Sequence, residues 1–144
     1  MSVPEAIQIR ALARRFRAAL ERTNFQDCGL ALSRFPKDCC HHAAKLLGLF
    51  LFDQGFGLSG STAGRHPVTD AEHVWLRRGD LDIDITADQF PEIHHKVIVR
   101  RCSKWHASFK AVQFRLSDLG LYDRRRAFYE KNGIYPAIRN NMRL

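Results

Sequence analysis

The chain has 144 residues, 45% of them hydrophobic and 26% charged, with four cysteines and 23 Lys plus Arg against 15 Asp plus Glu. That is one domain, 1–144, able to bury a core without covalent staples, and too apolar for a disordered tail. No apolar run reaches the about 18–20 residues of a membrane span; the longest, near Leu46 to Phe52, is interrupted by Gly48.

Met1 is followed by Glu5 and several arginines rather than an apolar signal core, so export by that route is not expected. Cys28, Cys39, Cys40 and Cys102 make no disulfide framework in a chain this long, and two of them are adjacent. Reduced thiols in a cytoplasmic compartment are expected, for a resident enzyme or for an effector delivered elsewhere. The charge gathers at the ends, with net +3 over residues 1–22, net +4 over 121–144, and +1 in the middle. Two solvated arginine-rich helix faces are the simplest reading; a basic surface for an acidic protein or nucleic acid is the alternative.

From Pro4 to Arg22, Ile9, Leu12, Phe16 and Leu20 recur at helical steps while Arg10, Arg14 and Arg17 line another face, predicting an amphipathic helix. Residues 23–37 read as loop. Asp38 is a candidate N-cap for a helix from Cys39 to a stop at Gly55, apolar nearly all round and therefore buried nearly all round. Its first turn carries Cys39-Cys40-His41-His42, ionisable groups at the mouth of an apolar helix.

Residues 56–62 are Gly/Ser-rich, and 64–70 read as loop. Glu72 to Arg77 and Asp80 to Thr86 alternate strictly, with Val74, Leu76, Leu81, Ile83 and Ile85 on one face and His73, Trp75, Asp82 and Asp84 on the other. A two-residue turn at Arg78-Gly79 would set His73 directly opposite Asp84. Strands are expected at 96–101 and 109–114, then a helix from Leu121 to Lys131 ending near Gly133, and a basic tail. The order predicts an α+β fold, a buried central helix packed on an antiparallel sheet.

A cysteine at a helix N-terminus gains from the positive end of the helix dipole, which favours thiolate, and a histidine held by a carboxylate completes a nucleophile–base pair. Cys40, His73 and Asp84 supply those parts in that order. Phe35-Pro36-Lys37-Asp38-Cys39-Cys40, then His73-Val74-Trp75, then Asp84-Ile85-Thr86-Ala87-Asp88-Gln89-Phe90 resembles small bacterial proteins with a Cys … His-x-Trp … Asp-x-Thr-x-x-Gln-Phe pattern. More distantly it is similar to the papain-like and transglutaminase-like superfamily of cysteine enzymes. The resemblance spans about residues 35–100 and implies Cys40 as nucleophile, His73 as base and then acid, and Asp84 as the orienting carboxylate.

It also implies an oxyanion hole, for which the amides of Gln89 and Gln26 are candidates. Asp38 departs from the small residue found before such cysteines, and a carboxylate there opposes the thiolate unless it caps backbone N–H groups. Cys39 and Trp75 are expected beside the site, and Asp82 shares a face with Asp84 as an alternative third member. A metal site built from Cys39, Cys40, His41, His42, His94 and His95 is disfavoured, because successive residues on one helical turn radiate outward. The expectation is a cofactor-free thiol hydrolase or acyltransferase acting on protein or peptide: peptidase, amidase, or a glutamine deamidase or transglutaminase. The alternative is a degenerate binding module whose basic ends engage an acidic protein or nucleic acid.

Overall fold

In a computed structural model, which describes residues 4–25, 34–37 and 39–142, Pro4 stands at the N-cap of helix α1 (Glu5–Arg22). Of the periodic residues Ile9, Phe16 and Leu20 are buried and Leu12 partly so, and Ala13 and Ala19 are buried beside them. Arg17 is buried too, which corrects its reading as part of a solvated face. Its guanidinium grips Asp88 with two bonds of 2.8 Å and donates to the carbonyls of Ile85 (2.7 Å) and Lys96 (3.1 Å). A planar five-donor group can be buried here because each acceptor it needs is in place.

Helix α2 (Cys40–Leu51) is the central helix, with Ala43, Ala44 and 46–51 buried. The proposed cap Asp38 lies outside the described residues; Cys39 occupies the N-cap position, without a side-chain cap bond. Gly55, within the wider helical turn Phe52–Phe56 that follows, and Gly57 just after it take positive φ and turn the chain into the sheet.

The sheet has strands β1 (Gly60–Arg65), β2 (Glu72–Arg78), β3 (Leu81–Asp84), β4 (Ile98–Arg101) and β5 (Lys110–Leu116), in the antiparallel order β4-β3-β2-β1-β5. β1 falls partly in what reads as loop. It pairs with strands on both sides, and its small residues let neighbours close over it: a Cβ on Gly60 would stand 2.2 Å from the Phe114 ring. The hairpin register pairs Leu76 with Ile83 and Arg77 with Asp82, so the turn is Gly79-Asp80, with Gly79 at φ 61°. His73 is therefore not directly opposite Asp84. Continuing the register puts Asp84 opposite Trp75 and His73 on the diagonal, and a displacement of two residues leaves every side chain on its expected face.

Val74, Leu76, Leu81 and Ile83 meet α2 in the main core, where the Phe16 and Phe50 rings stack 5.0 Å apart. The other face carries a second cluster of Trp75, Phe90 and Phe109 with Trp105 packed against it. Trp105 comes from α3 (Lys104–Ala107). Helix α4 (Leu119–Lys131) is capped by Asp118, and the expected basic tail is a further helix, α5 (Ile134–Asn141), which starts after Gly133 at φ 73° and buries Ile134, Tyr135 and Ile138. α5 packs on α1, and Arg22 bonds the Asn141 carbonyl, so the two basic segments meet. Part of that charge is internally neutralised, Arg126 by Asp53 and Arg139 by Glu130. No helix among the described residues is long and apolar enough to cross a membrane.

Candidate active site

Three elements converge at one end of the sheet. Cys40 opens α2, His73 is the second residue of β2, and Asp84 ends β3. His73 Nε2 lies 2.7 Å from Asp84 Oδ2, and Cys40 is close enough that both its hydrogen bond and its charge act on the imidazole. The site is nearly sealed: Cys40 is 8% exposed, Asp84 1% and His73 0%.

Asp84 holds more than one imidazole. Its Oδ2 also lies 2.7 Å from His106 Nε2, and its Oδ1 accepts from the Thr86 amide at 2.9 Å. On the far side of the His106 ring, Ser103 Oγ is 2.7 Å from Nδ1. Ser103 is also the N-cap of α3, accepting from the His106 amide, so the short helix is tied to the group it presents. A hydroxyl donating to Nδ1 leaves Nε2–H as the donor to Asp84. His106 escapes the sequence reading; its only local signal is the Ser-x-x-His spacing, which says nothing of a carboxylate 22 residues back.

The electrostatics follow from these contacts. Burial pushes the Asp84 carboxyl up, but the charge of His73 and the hydrogen bonds from His106 and His73 outweigh it and hold Asp84 well below the usual carboxylate range. Burial alone would depress His73. The charge and hydrogen bond of Asp84, then those of Cys40, overcome it and raise the imidazole to about 9. Of the rings around it, Trp75 stacks on His73 at 5.7 Å and its face favours the same charge, while Phe90 lies nearly perpendicular to the imidazole at 5.2 Å.

Gln89, expected as an oxyanion donor, has its amide nitrogen 3.0 Å from His73 Nδ1. With Nε2 given to Asp84, Nδ1 is the nitrogen that remains for the Cys40 sulfur, and Gln89 shares it. Gln26 lies outside the described residues. Cys39 is buried beside Cys40, and Cys40 and Cys102 are free thiols. Asp82 is committed elsewhere, accepting from Trp75 Nε1 (3.0 Å), Arg77 Nε (3.0 Å) and the Ser103 amide (3.2 Å). It thereby fixes Trp75 beneath His73 and the entry to α3.

Among the described residues the one cluster of metal-ligand type is His73, Asp84 and His106, not the Cys39–His42 turn or His94-His95. Ligand atoms around a tetrahedral zinc with bonds of about 2.0–2.1 Å stand roughly 3.3–3.4 Å apart. The two 2.7 Å contacts here are hydrogen-bond distances, and the cluster fits shared protons better than an ion. No protein-family model matches the chain, and no curated protein or solved structure matches it either.

Proposed function

We propose that the protein is a cysteine-dependent acyl-transfer enzyme of papain-like or transglutaminase-like design, with Cys40 as nucleophile, His73 as base and acid, and Asp84 as the carboxylate that orients the imidazole. The observation that carries this reading is His73 held between Asp84 and Cys40 with its basicity raised to about 9. An imidazolium that persists at neutral pH is the partner a thiolate needs, and Cys40 stands at the positive end of α2.

The sulfur attacks an amide or thioester carbonyl, the C–S bond forms, and the oxyanion collapses with loss of the amine or thiol, which takes its proton from His73 Nδ1. Water, or an acceptor amine, then gives a proton back to His73 and attacks the acyl-enzyme, releasing the Cys40 thiolate. Facing an imidazolium, both ring nitrogens donate, so Gln89 must turn its amide oxygen to Nδ1; facing neutral imidazole it turns its NH2. The amide thus follows the proton. The substrate class proposed is protein or peptide, cleaved, deamidated or transferred to an amine.

Alkylation by iodoacetamide across pH tests the core of this reading. Cys40 is expected to react at pH 6 in the wild type and to lose that reactivity in His73→Ala. Equal rates in the two proteins at pH 6 would refute an imidazole-supported thiolate.

A further inference from the structure

On the α2 side of the sheet, one residue along the helix from Cys40, a groove of about 780 Å³ opens between α2, α4 and strand β5. Its charged walls are Lys45, Arg115 and Arg125, its apolar walls Val74, Phe114 and Leu121, and among the described residues no carboxylate lines it. His41 stands at one end and is already engaged by Glu72 at 3.0 Å. Lys45 and Arg125 are each about half buried, and among the described residues neither has a carboxylate partner. Arg125 Nη1 is inaccessible to solvent and, among the described residues, has no hydrogen-bond acceptor.

Leaving a guanidinium N–H buried and unpaired is costly, and placing a lysine beside it adds like-charge repulsion. Both cations are pushed below their ordinary range, by burial first in each case, and for Lys45 then by Arg125. Several other buried or half-buried cations are answered within the described residues: Arg17 by Asp88 and Glu21, Arg126 by Asp53, Arg77 by Asp82, and Arg10 by the Val99 carbonyl. Among the described residues no carboxylate answers this pair, and Arg125 has the Tyr122 ring, 5.9 Å from its guanidinium carbon.

We infer that the groove is an anion subsite, in which Lys45, Arg115 and Arg125 take an oxyanion, carboxylate or phosphate, whose apolar arm lies against Val74, Phe114 and Leu121. Since the groove starts beside the first turn of α2, the anion is a group on the substrate of Cys40. That second step rests on the acyl-transfer reading; the anion site itself does not.

Titration of the full chain with inorganic phosphate and with tricarballylate, at constant ionic strength and read by the arginine Nε–Hε and backbone amide NMR signals, tests the site. Saturable shifts at Lys45 and Arg125 are expected, weakened at least tenfold in Arg125→Gln and in Lys45→Gln. Arg124→Gln, the same charge change one residue away on an exposed position, is expected to stay within twofold. Saturation by phosphate alone assigns a phosphate, by tricarballylate alone an acidic peptide, and by both the shared oxyanion. No saturation by either, or equal weakening in Arg124→Gln, would overturn the site.

The link to Cys40 is read from alkylation by iodoacetate relative to iodoacetamide. The ratio is expected to fall several-fold in Lys45→Gln and Arg125→Gln, and an unchanged ratio would overturn the substrate assignment. If Cys40 resists both reagents, the acyl-transfer reading and the substrate step fall together, and the titration still decides the anion site.

Discussion

Replacing Asp84 by Asn removes one charge from a buried cluster and should change how the protein's stability responds to pH. The carboxylate oxygens accept from four donors, His73 and His106 at Oδ2 and the Thr86 amide and hydroxyl at Oδ1. Either orientation of an Asn amide sets its NH2 against at least one of them, and breaking a buried ion pair this way costs about 3–5 kcal/mol. The sharper readout is the pH profile. Because His73 is raised from 6.5 to about 9, the folded protein keeps a proton that the unfolded chain releases in that window. The stabilisation is fully present below pH 6.5 and is lost as pH rises through 9. About two and a half pH units at about 1.36 kcal/mol each give about 3 kcal/mol, counted once for the His73–Asp84 pair. Asp84 acts at the other end: held below 3.8, it contributes stability above that pH and loses it as pH falls further. Urea denaturation at pH steps from 6 to 10 should show a loss of about 3 kcal/mol in the wild type and a much flatter profile in Asp84→Asn. Should that variant not fold, His73→Gln removes the same proton and serves in its place. Parallel profiles for wild type and variant would refute the assignment of the raised imidazole to its carboxylate.

Cys40→Ser should lower the pH at which His73 titrates, since the sulfur's hydrogen bond and charge both raise it; ring 15N shifts followed through the titration check this. His106→Phe leaves Asp84 short of a donor and Ser103 Oγ without its ring partner. A loss of about 1–3 kcal/mol in urea denaturation is expected, whereas His106→Gln, which keeps an N–H donor, should retain most of the stability and the pH 6 alkylation of Cys40. Gly60→Ala drives a Cβ into the Phe114 ring and to 3.0 Å from the Arg115 carbonyl. Because Phe114 is half-exposed and its ring can swing out, a cost of about 1 kcal/mol is expected, largely absent in a Phe114→Ala background.

The first helix and the central hairpin are legible in the chain because each has one strong period, 3.6 for Ile9–Leu20 and 2 for His73–Ile85, and the central helix because it is apolar nearly all round. The same pattern carries His73 and Asp84 to one face whether the turn is Arg78-Gly79 or Gly79-Asp80, since the two registers differ by two residues. β1 lacks any such period: Gly60 and Gly64 are small because Phe114 and Phe109 lie over them, a demand made by another strand about 50 residues on. α5 hides behind Arg, Asn and Pro136, and its buried Ile134, Tyr135 and Ile138 show only against α1 and α4. Arg17 looks like its exposed neighbours Arg14 and Arg15 until Asp88 and two carbonyls are set around it. His106 and the Lys45–Arg125 pair are products of tertiary proximity, which no local pattern encodes.

The grip of Arg17 on Asp88 has a mechanical result. Asp88 is followed directly by Gln89, whose amide rests on the His73 ring, and Arg17 also fixes the carbonyl of Ile85, next to Asp84. One guanidinium on a helix that never touches the sulfur therefore anchors two of the groups that aim the imidazole. Loosening that anchor frees the supports of the ring, so a change at Arg17 on α1 is felt at His73.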